Sequence, residues 1–156
     1  MTRMVTPRPD FGILLLLACQ EFVIELRDTV AAKGFTDQGR SDGYVLRALG
    51  ASPLTVSELA ERLAISKQGA GQLVDDMERR GYVERRPDPR DGRARLLHLS
   101  GRGTAALAAA RRFHAQYERR LVREHGADAV ATLRAVLTAM AGADQAADPR
   151  FRALYL

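Results

Sequence analysis

Residues 55–100 contain two short amphipathic helices followed by a basic hairpin, and this order of elements leaves few folds open to the chain. Ser57 is the predicted N-cap of a first helix over residues 58–64, and Ser66 is predicted to cap a second helix over residues 67–80. Only a short turn separates the two helices. The pattern therefore predicts a helix-turn-helix whose second helix turns its apolar side chains inward and its small or amide side chains outward.

The segment after Gly81 predicts a hairpin with a charged tip. Residues 82–86 and 94–99 have the composition of paired strands, and residues 87–93 supply the Pro, Asp and Gly that turns require. Residues 79–95 hold seven arginines against three acidic residues, so they carry +4 of the chain's net charge of +5. Positive charge concentrated in this way predicts a footprint on a polyanion.

Helices are predicted on both sides of this segment. A helix over residues 10–33 is apolar on every face in its first two turns, which indicates cover from a second subunit. A short helix opens at Ser41, a long one covers residues 104–124, and a last one begins at or beside Asp128. The predicted fold class is therefore mainly α with a small β-hairpin.

The bulk properties predict one domain without a catalytic or metal centre. The longest apolar run, residues 13–19, is far shorter than the roughly 20 residues of a membrane span, so we expect a cytoplasmic protein with no membrane partner. The 3 histidines and 1 cysteine have no metal-ligand spacing, and no phosphate loop or nucleophile elbow occurs. We expect no enzymatic activity, no metal and no cofactor. Residues 1–9 are predicted to form a loose arm, and the apolar end of residues 144–156 to dock on its own subunit or a neighbour.

Two motifs in the hairpin carry a resemblance to a known family. The sequence DPRDGR at residues 88–93, followed by LHLS at residues 97–100, is similar to the wing signature of the MarR family of bacterial transcriptional regulators. Ser100 stands where that family commonly has threonine, and it keeps the hydroxyl. The likeness is close over about a third of the chain and looser over residues 10–143.

The resemblance implies a winged helix-turn-helix, a six-helix subunit and a homodimer. Residues 10–34 and 104–156 would form the dimerisation helices and tail, and residues 41–100 the DNA-binding lobe. The partner would be double-stranded DNA with a pseudo-palindromic operator. Because members of the family usually repress a nearby promoter until a small effector reaches them, we expect a ligand-relieved repressor with an effector of unknown identity.

The second helix of the pair is expected to read the major groove, and the hairpin to reach the minor groove beside it. The candidate DNA contacts are Ser66, Lys67, Gln68, Gly71 and Gln72 in the helix, and Arg86, Arg90, Asp91, Arg93 and Arg95 in the wing. Gln68 and Gln72 lie one turn apart, and glutamine can bond bidentately to adenine. The resemblance places Arg93 in the minor groove with Asp91 as its orienting partner, while the other three arginines suit phosphates.

Two glycines inside this helix need a reason, because each costs about 1 kcal/mol relative to alanine. Close packing of the two helices and close approach of the backbone to DNA are both open for Gly69, and the second is favoured for Gly71. Two further functions also remain open. The basic hairpin suits an acidic protein partner, which would make the chain an interaction module. Cys19 suits a redox-sensing regulator, although its aliphatic neighbours predict a buried structural thiol.

Overall fold

The structure, a computed structural model, describes residues 8–147. Its helices and strands follow in the order α1 (Phe11–Ala31), α2 (Asp42–Leu49), α3 (Val56–Leu63), α4 (Lys67–Arg79), β1 (Val83–Pro87), β2 (Arg95–Leu99), α5 (Gly101–His125), α6 (Ala127–Ala141) and α7 (Ala143–Ala147). Most of the predicted N-terminal arm and the apolar end of the predicted docking tail lie outside the described residues. The prediction of a mainly α fold with one hairpin is confirmed, and α7 is a short helix beyond the six expected.

The first helix of the helix-turn-helix begins earlier than predicted. Thr55, not Ser57, is its N-cap, and the Thr55 hydroxyl accepts a hydrogen bond from the Glu58 N–H at 3.2 Å. The Glu58 carboxylate in turn accepts the backbone N–H of Thr55 at 2.7 Å. This reciprocal capping box satisfies two backbone donors where a cap at Ser57 would leave them open, which explains the shift.

Helix α5 also begins a turn before the predicted start, and its first turn lies against the hairpin. Ser100 is its N-cap, accepting from the Gly103 N–H at 3.0 Å, and its hydroxyl donates to the Gly81 carbonyl at 2.5 Å. A Cβ on Gly103 would collide with the carbonyl oxygen of Tyr82. Glycine at this position therefore allows α5 to approach the start of β1 closely.

The two strands form an antiparallel hairpin with Val83 opposite Leu99 and Pro87 opposite Arg95. The first strand is one residue later than predicted, because Tyr82 is held by its backbone N–H to the Met77 carbonyl at the end of α4. Leu54, in the link before α3, forms an isolated bridge with Leu97. The hairpin is thus anchored to the helix-turn-helix through its second strand.

The buried core lies between α2, the helix-turn-helix, the hairpin and the start of α5. Its fully buried side chains include Val45, Leu59, Val74, Tyr82 and Leu97, each at 0% exposure. This core fixes the hairpin against α2 and α4.

The large apolar side chains that are exposed among residues 8–147 all lie on α1 and α6. They are Phe11, Ile13, Leu14, Leu16, Leu17, Ile24, Leu133, Val136, Leu137 and Met140. Cys19 lies among them on α1 and is also exposed. The prediction of a buried Cys19 thiol is therefore wrong for the single subunit, because most side chains in the first half of α1 are exposed.

Candidate nucleic-acid interface

Helix α4 is fixed on one side and open on the other. Ala70, Val74 and Met77 are fully buried on its inner side. The predicted contact residues Lys67, Gln68 and Gln72 are all exposed on the outer side. The structure therefore places the amide and lysine side chains on a free helix face, as a helix that enters the major groove requires.

The N-terminus of α4 is built by its cap. Ser66 is exposed, and its hydroxyl accepts the Gly69 N–H at 3.0 Å. This bond uses one of the free N–H groups of the first turn and leaves the others at the surface beside Lys67. Helix N-termini of this kind attract anions such as phosphate.

The structure separates the two explanations for the glycines of α4. A Cβ on Gly71 would meet no atom within 4 Å, and the nearest atom to a Cβ on Gly69 would be the Ser66 hydroxyl oxygen at 3.2 Å. A Cβ at either position would meet no atom of α3, so close packing of the two helices is wrong as the reason for either glycine. Space is instead left open on the outer side of α4.

The wing is tied to α4 by Arg85. Its guanidinium donates to the Asp75 carboxylate at 2.5 Å and also pairs with Glu78, so β1 is linked to two successive turns of α4. Burial lowers the pKa of the Arg85 guanidinium, but its bonds to both carboxylates more than offset that effect. The Arg85 pKa is therefore raised overall. Arg85 therefore fixes the wing relative to the helix and is not a candidate DNA contact.

The turn at the wing tip is held by backbone bonds to two aspartates. The Asp88 carboxylate accepts the Arg90 N–H at 2.8 Å, and the Asp91 carboxylate accepts the Arg93 N–H at 3.0 Å. Asp91 thus shapes the turn through the backbone of Arg93, whereas the resemblance implied a partner for its side chain. The tip keeps its conformation whatever the Arg93 guanidinium contacts.

The predicted wing arginines fall into two groups. Arg86 pairs with Glu84, and Arg90 lies 3.6 Å from the Asp88 carboxylate. Arg93 and Arg95 are exposed and form no ion pair with any residue among 8–147. A polyanion can therefore bind Arg93 and Arg95 without displacing a carboxylate of the same chain.

A charge network that sequence reasoning missed lies at the opposite end of α4. It joins Arg80, Asp76, Asp42, Asp37, Tyr82 and Arg102. Arg80 donates to Asp42 at 2.5 Å, to Asp76 at 2.5 Å and to the Asp37 carbonyl at 2.6 Å. Asp42, the first residue of α2, is only 1% exposed, and the bonds to Asp42 and then to Asp76 raise the pKa of Arg80.

The same network fixes the loop between α1 and α2 to the root of the wing. The Asp37 carboxylate accepts the Tyr82 hydroxyl at 2.5 Å and the Arg102 guanidinium at 3.0 Å. Arg102 also lies over the Tyr82 ring, 4.3 Å from its centroid. The hydrogen bond from Tyr82, followed by those from Arg102, lowers the pKa of Asp37 despite some desolvation. The network therefore holds α2, α4, β1 and α5 in one arrangement.

Tyr82 gives this network a measurable pH dependence. Burial, and then the bond to Asp37, raise the Tyr82 pKa to about 12. The folded state favours the neutral phenol of Tyr82 over the phenolate. The free energy of unfolding that this phenol contributes is therefore fully present below the ordinary tyrosine pKa near 10 and is lost as the pH rises from 10 to 12. We therefore expect the melting temperature, measured by circular dichroism, to fall less steeply with pH over that range for Tyr82→Phe than for the wild type. Parallel curves for the two proteins would contradict this assignment.

Residues 8–147 contain neither a metal cluster nor a membrane helix. No group of three or more His, Cys, Asp or Glu side chains in that range could hold a metal ion. None of its helices combines the length and apolarity needed to cross a bilayer.

Comparison with known proteins agrees with the helix-turn-helix and the wing. Residues 33–94 match the sequence model described as MarR family. The chain is 36% identical over 91 residues to the transcriptional activatory protein BadR of Rhodopseudomonas palustris, in an alignment that covers 56% of this chain and 52% of that protein. The chain thus spans about half the length of this curated relative.

Solved structures resemble the whole fold. The reduced form of MarR from E. coli has a TM-score of 0.68 at 24% identity, over 88% of this chain and 100% of that one. A mutant of MepR from S. aureus bound to an oligodeoxyribonucleotide has a TM-score of 0.60 at 20% identity, over 85% of this chain and 96% of that one. At these identities the likeness shows a shared winged-helix fold.

Proposed function

We propose that this chain, whose residues 33–94 match the sequence model described as MarR family, is a transcriptional regulator that binds a pseudo-palindromic DNA operator as a homodimer and represses transcription until a small ligand releases it. The observation that carries the DNA-binding proposal is the pairing of an open α4 face with two wing arginines, Arg93 and Arg95, that have no carboxylate partner among residues 8–147. In this proposal α4 enters the major groove, and the wing tip follows the backbone into the minor groove.

The exposed apolar faces of α1 and α6 support the homodimer. Water-exposed leucine and valine stripes on two helices of one subunit are unfavourable, and a symmetric second copy covers both at once. We propose that residues 10–34 and 104–156 form this interface and that residues 41–100 form the DNA-binding lobe. Two reading helices held by such a dimer would match half-sites about 34–36 Å apart.

The salt dependence of DNA binding tests the proposed function. Each neutralised phosphate contributes about −0.9 to the slope of log K against log salt, so a dimer that neutralises several phosphates requires a steep slope. We expect such a slope for the full chain on the DNA upstream of its own coding region. A flat slope, or no binding, would favour the alternative in which the basic hairpin contacts an acidic protein.

The glycine at position 71 allows stability and binding to be separated. Gly71→Ala should raise the free energy of unfolding by about 0.5–1 kcal/mol, because alanine has the higher helix propensity and its Cβ meets no atom. The same methyl group should weaken operator binding, because it projects from the face proposed to approach DNA. Chemical denaturation and fluorescence anisotropy measure the two effects. Unchanged DNA affinity would remove Gly71 from the interface.

The proposed base-reading role of Gln72 predicts a change in specificity. Gln72→Ala should relax the preference at one base pair of each half-site, at a cost of about 1–3 kcal/mol on the preferred base. Competition binding against a library of single-base operator variants measures it. Lys67→Ala is the matched comparison, since loss of a phosphate contact weakens all sequences alike. A uniform loss for Gln72→Ala would reassign it to the backbone.

A regulator that activates transcription is the second candidate, and the name of the 36% identical relative, an activatory protein, favours it. Reporter transcription with and without the intact chain decides between the two directions. Exposure of Cys19 supports the redox alternative. That alternative requires peroxide to reduce DNA binding by the wild type but not by Cys19→Ser.

A further inference from the structure

Tyr82 lies at the joint between helix α4 and the wing. Gly81, the residue before it, has a backbone φ of 76°, so the chain turns sharply as it leaves α4. The Tyr82 N–H donates to the Met77 carbonyl at 2.9 Å, and the Tyr82 carbonyl accepts the Ser100 N–H at 3.0 Å. Tyr82 is therefore held between the end of α4 and the start of α5, and the contacts of its side chain affect the angle of the hairpin.

The loop between α1 and α2 contacts the Tyr82 side chain in two places. The centroids of the Phe35 and Tyr82 rings are 6.4 Å apart, and the Asp37 carboxylate accepts the Tyr82 hydroxyl at 2.5 Å. The same carboxylate accepts two hydrogen bonds from Arg102, at 3.0 and 3.2 Å. Arg102 lies in the first turn of α5 and also donates to the Arg80 carbonyl. Asp37 therefore holds both sides of the base of the hairpin, before β1 and after β2.

The contacts of Asp37 differ in kind from the tie that Arg85 makes. Arg85 joins β1 to α4, and both elements belong to the proposed DNA-binding lobe. Asp37 lies outside that lobe, on the loop that follows α1. The Phe35 N–H of this loop donates to the Val30 carbonyl at 3.4 Å, so the loop is bound to the end of α1. Asp37 therefore connects the wing to a helix proposed to form the dimer interface.

A small rotation at the base of the hairpin moves its tip by a larger amount. A strand rises about 3.3 Å per residue, so the 5 residues of β1 place the tip roughly 17 Å beyond Tyr82, and a rotation of about 10° displaces the tip by about 3 Å. A hydrogen bond from the tip to DNA does not survive a displacement of that size. The contacts that Arg93 can make at the tip therefore depend on what holds Tyr82 at the base.

We propose that Asp37 is a positioning residue for DNA binding, which couples the loop after α1 to the angle of the wing. The Asp37 carboxylate acts only through Tyr82 and Arg102 and touches no DNA itself. A displacement of α1 that shifts the loop changes the angle of the wing and therefore the affinity for DNA. This inference rests on the proposed function, because it assigns regulation to the same DNA-binding surface.

The variant Asp37→Ala tests the proposal, because two physical effects predict opposite results. Removal of a negative charge from the chain strengthens binding to DNA by general electrostatics. The proposal instead predicts binding that is weaker by about fivefold, the lower end of the range for coupling between sites. Fluorescence anisotropy on the DNA upstream of the chain's own coding region measures the affinity. Thermal melting establishes that the variant folds, and the bond from Arg80 to the backbone carbonyl of residue 37 is retained.

Removal of the wing contacts separates positioning from a general loss of stability. In the R93A/R95A background the position of the tip no longer matters, so Asp37→Ala should change affinity there by less than about twofold. Tyr82→Phe keeps the charge of the chain and removes one partner of the carboxylate, so it should also weaken binding. Thr36→Ala is the matched control, because Thr36 is exposed in the same loop and its side chain forms no hydrogen bond with residues 8–147. It should bind as the wild type does.

Hydrogen exchange without DNA tests the same tie independently of the proposed function. We expect the amides of β1 and β2 to exchange faster in Asp37→Ala than in the wild type, while those of α3 stay unchanged. Equal exchange of the strands, equal or tighter DNA binding by Asp37→Ala, or the same loss in the R93A/R95A background would each overturn the proposal and leave DNA binding itself intact. Failure of the wild-type chain to bind DNA would instead overturn the proposed function, and this inference with it.

Discussion

Replacing Arg80 with alanine is expected to lower the free energy of unfolding by about 3 kcal/mol, the lower end of the cost of breaking a buried ion pair. Arg80 is the charged partner of Asp42, which is 1% exposed and would be left as a buried carboxylate without a cation. The lower end applies because the Gly39 N–H still donates to Asp42 at 2.8 Å. Urea denaturation of the full chain measures the change.

Arg79 is the matched control for this prediction. It neighbours Arg80 and pairs with the same Asp76 carboxylate at 3.1 Å, but its side chain is 76% exposed. Arg79→Ala should therefore cost less than about 1 kcal/mol, as surface pairs do. The double variant Asp42→Asn/Arg80→Ala should recover part of the Arg80→Ala loss, because a neutral amide needs no cation. Equal costs for Arg79→Ala and Arg80→Ala would show that the buried carboxylate is not what makes Arg80 important.

The parts of the fold that the sequence predicts correctly are those set by local signals. Ser66 and Gly81 mark the two ends of α4 because a cap and a left-handed residue act within one turn of their own position. The wrong N-cap predicted for α3 also concerns a local signal. Thr55 and Glu58 have the spacing of a capping box, which is a stronger signal than the single hydroxyl of Ser57.

The charge network could not be predicted, because its partners are distant in the chain. Tyr82 meets Asp37 across 45 positions, Arg102 meets Asp37 across 65, and Arg80 meets Asp42 across 38. No helical or strand period relates these pairs, so only the packed fold brings them together. Asp37 and Asp42 look like ordinary turn and helix-start residues in the sequence. Their roles depend on which arginines the fold brings beside them.

The candidate site is predicted only in part. The outward face of α4 follows from helical periodicity alone, and its exposed Gln68 and Gln72 agree with it. The states of the wing arginines do not follow from sequence, since Arg86 and Arg95 both look like strand residues, but among residues 8–147 only Arg86 has a carboxylate partner. Cys19 shows the same limit, because its exposure depends on what covers α1.

Replacing Arg93 with alanine is expected to weaken operator binding by at least tenfold while the fold and the oligomeric state stay unchanged. A hydrogen bond to a charged group contributes about 1.5–3 kcal/mol, and a homodimer carries two wings. The fold should tolerate the change because Asp91 accepts the backbone N–H of residue 93 at 3.0 Å, which alanine retains. Fluorescence anisotropy, thermal melting and sedimentation measure the three properties. A drop in melting temperature as large as that of Arg80→Ala would mean that Arg93 supports the wing itself.

The proposed minor-groove contact of Arg93 can be tested with two operators and one control variant. A narrow A·T-rich minor groove concentrates negative potential, so Arg93→Ala should lose more affinity on an operator with A·T-rich flanks than on one with G·C-rich flanks. Arg95→Ala should weaken both operators equally and reduce the salt slope by about one for each phosphate that is no longer neutralised. Arg40→Ala, at an exposed arginine that lies between the proposed dimerisation and DNA-binding segments, controls for net charge and should leave both affinities unchanged. If the Arg93→Ala loss is the same on the two flanks, Arg93 contacts phosphate, and sequence preference must come from α4 alone.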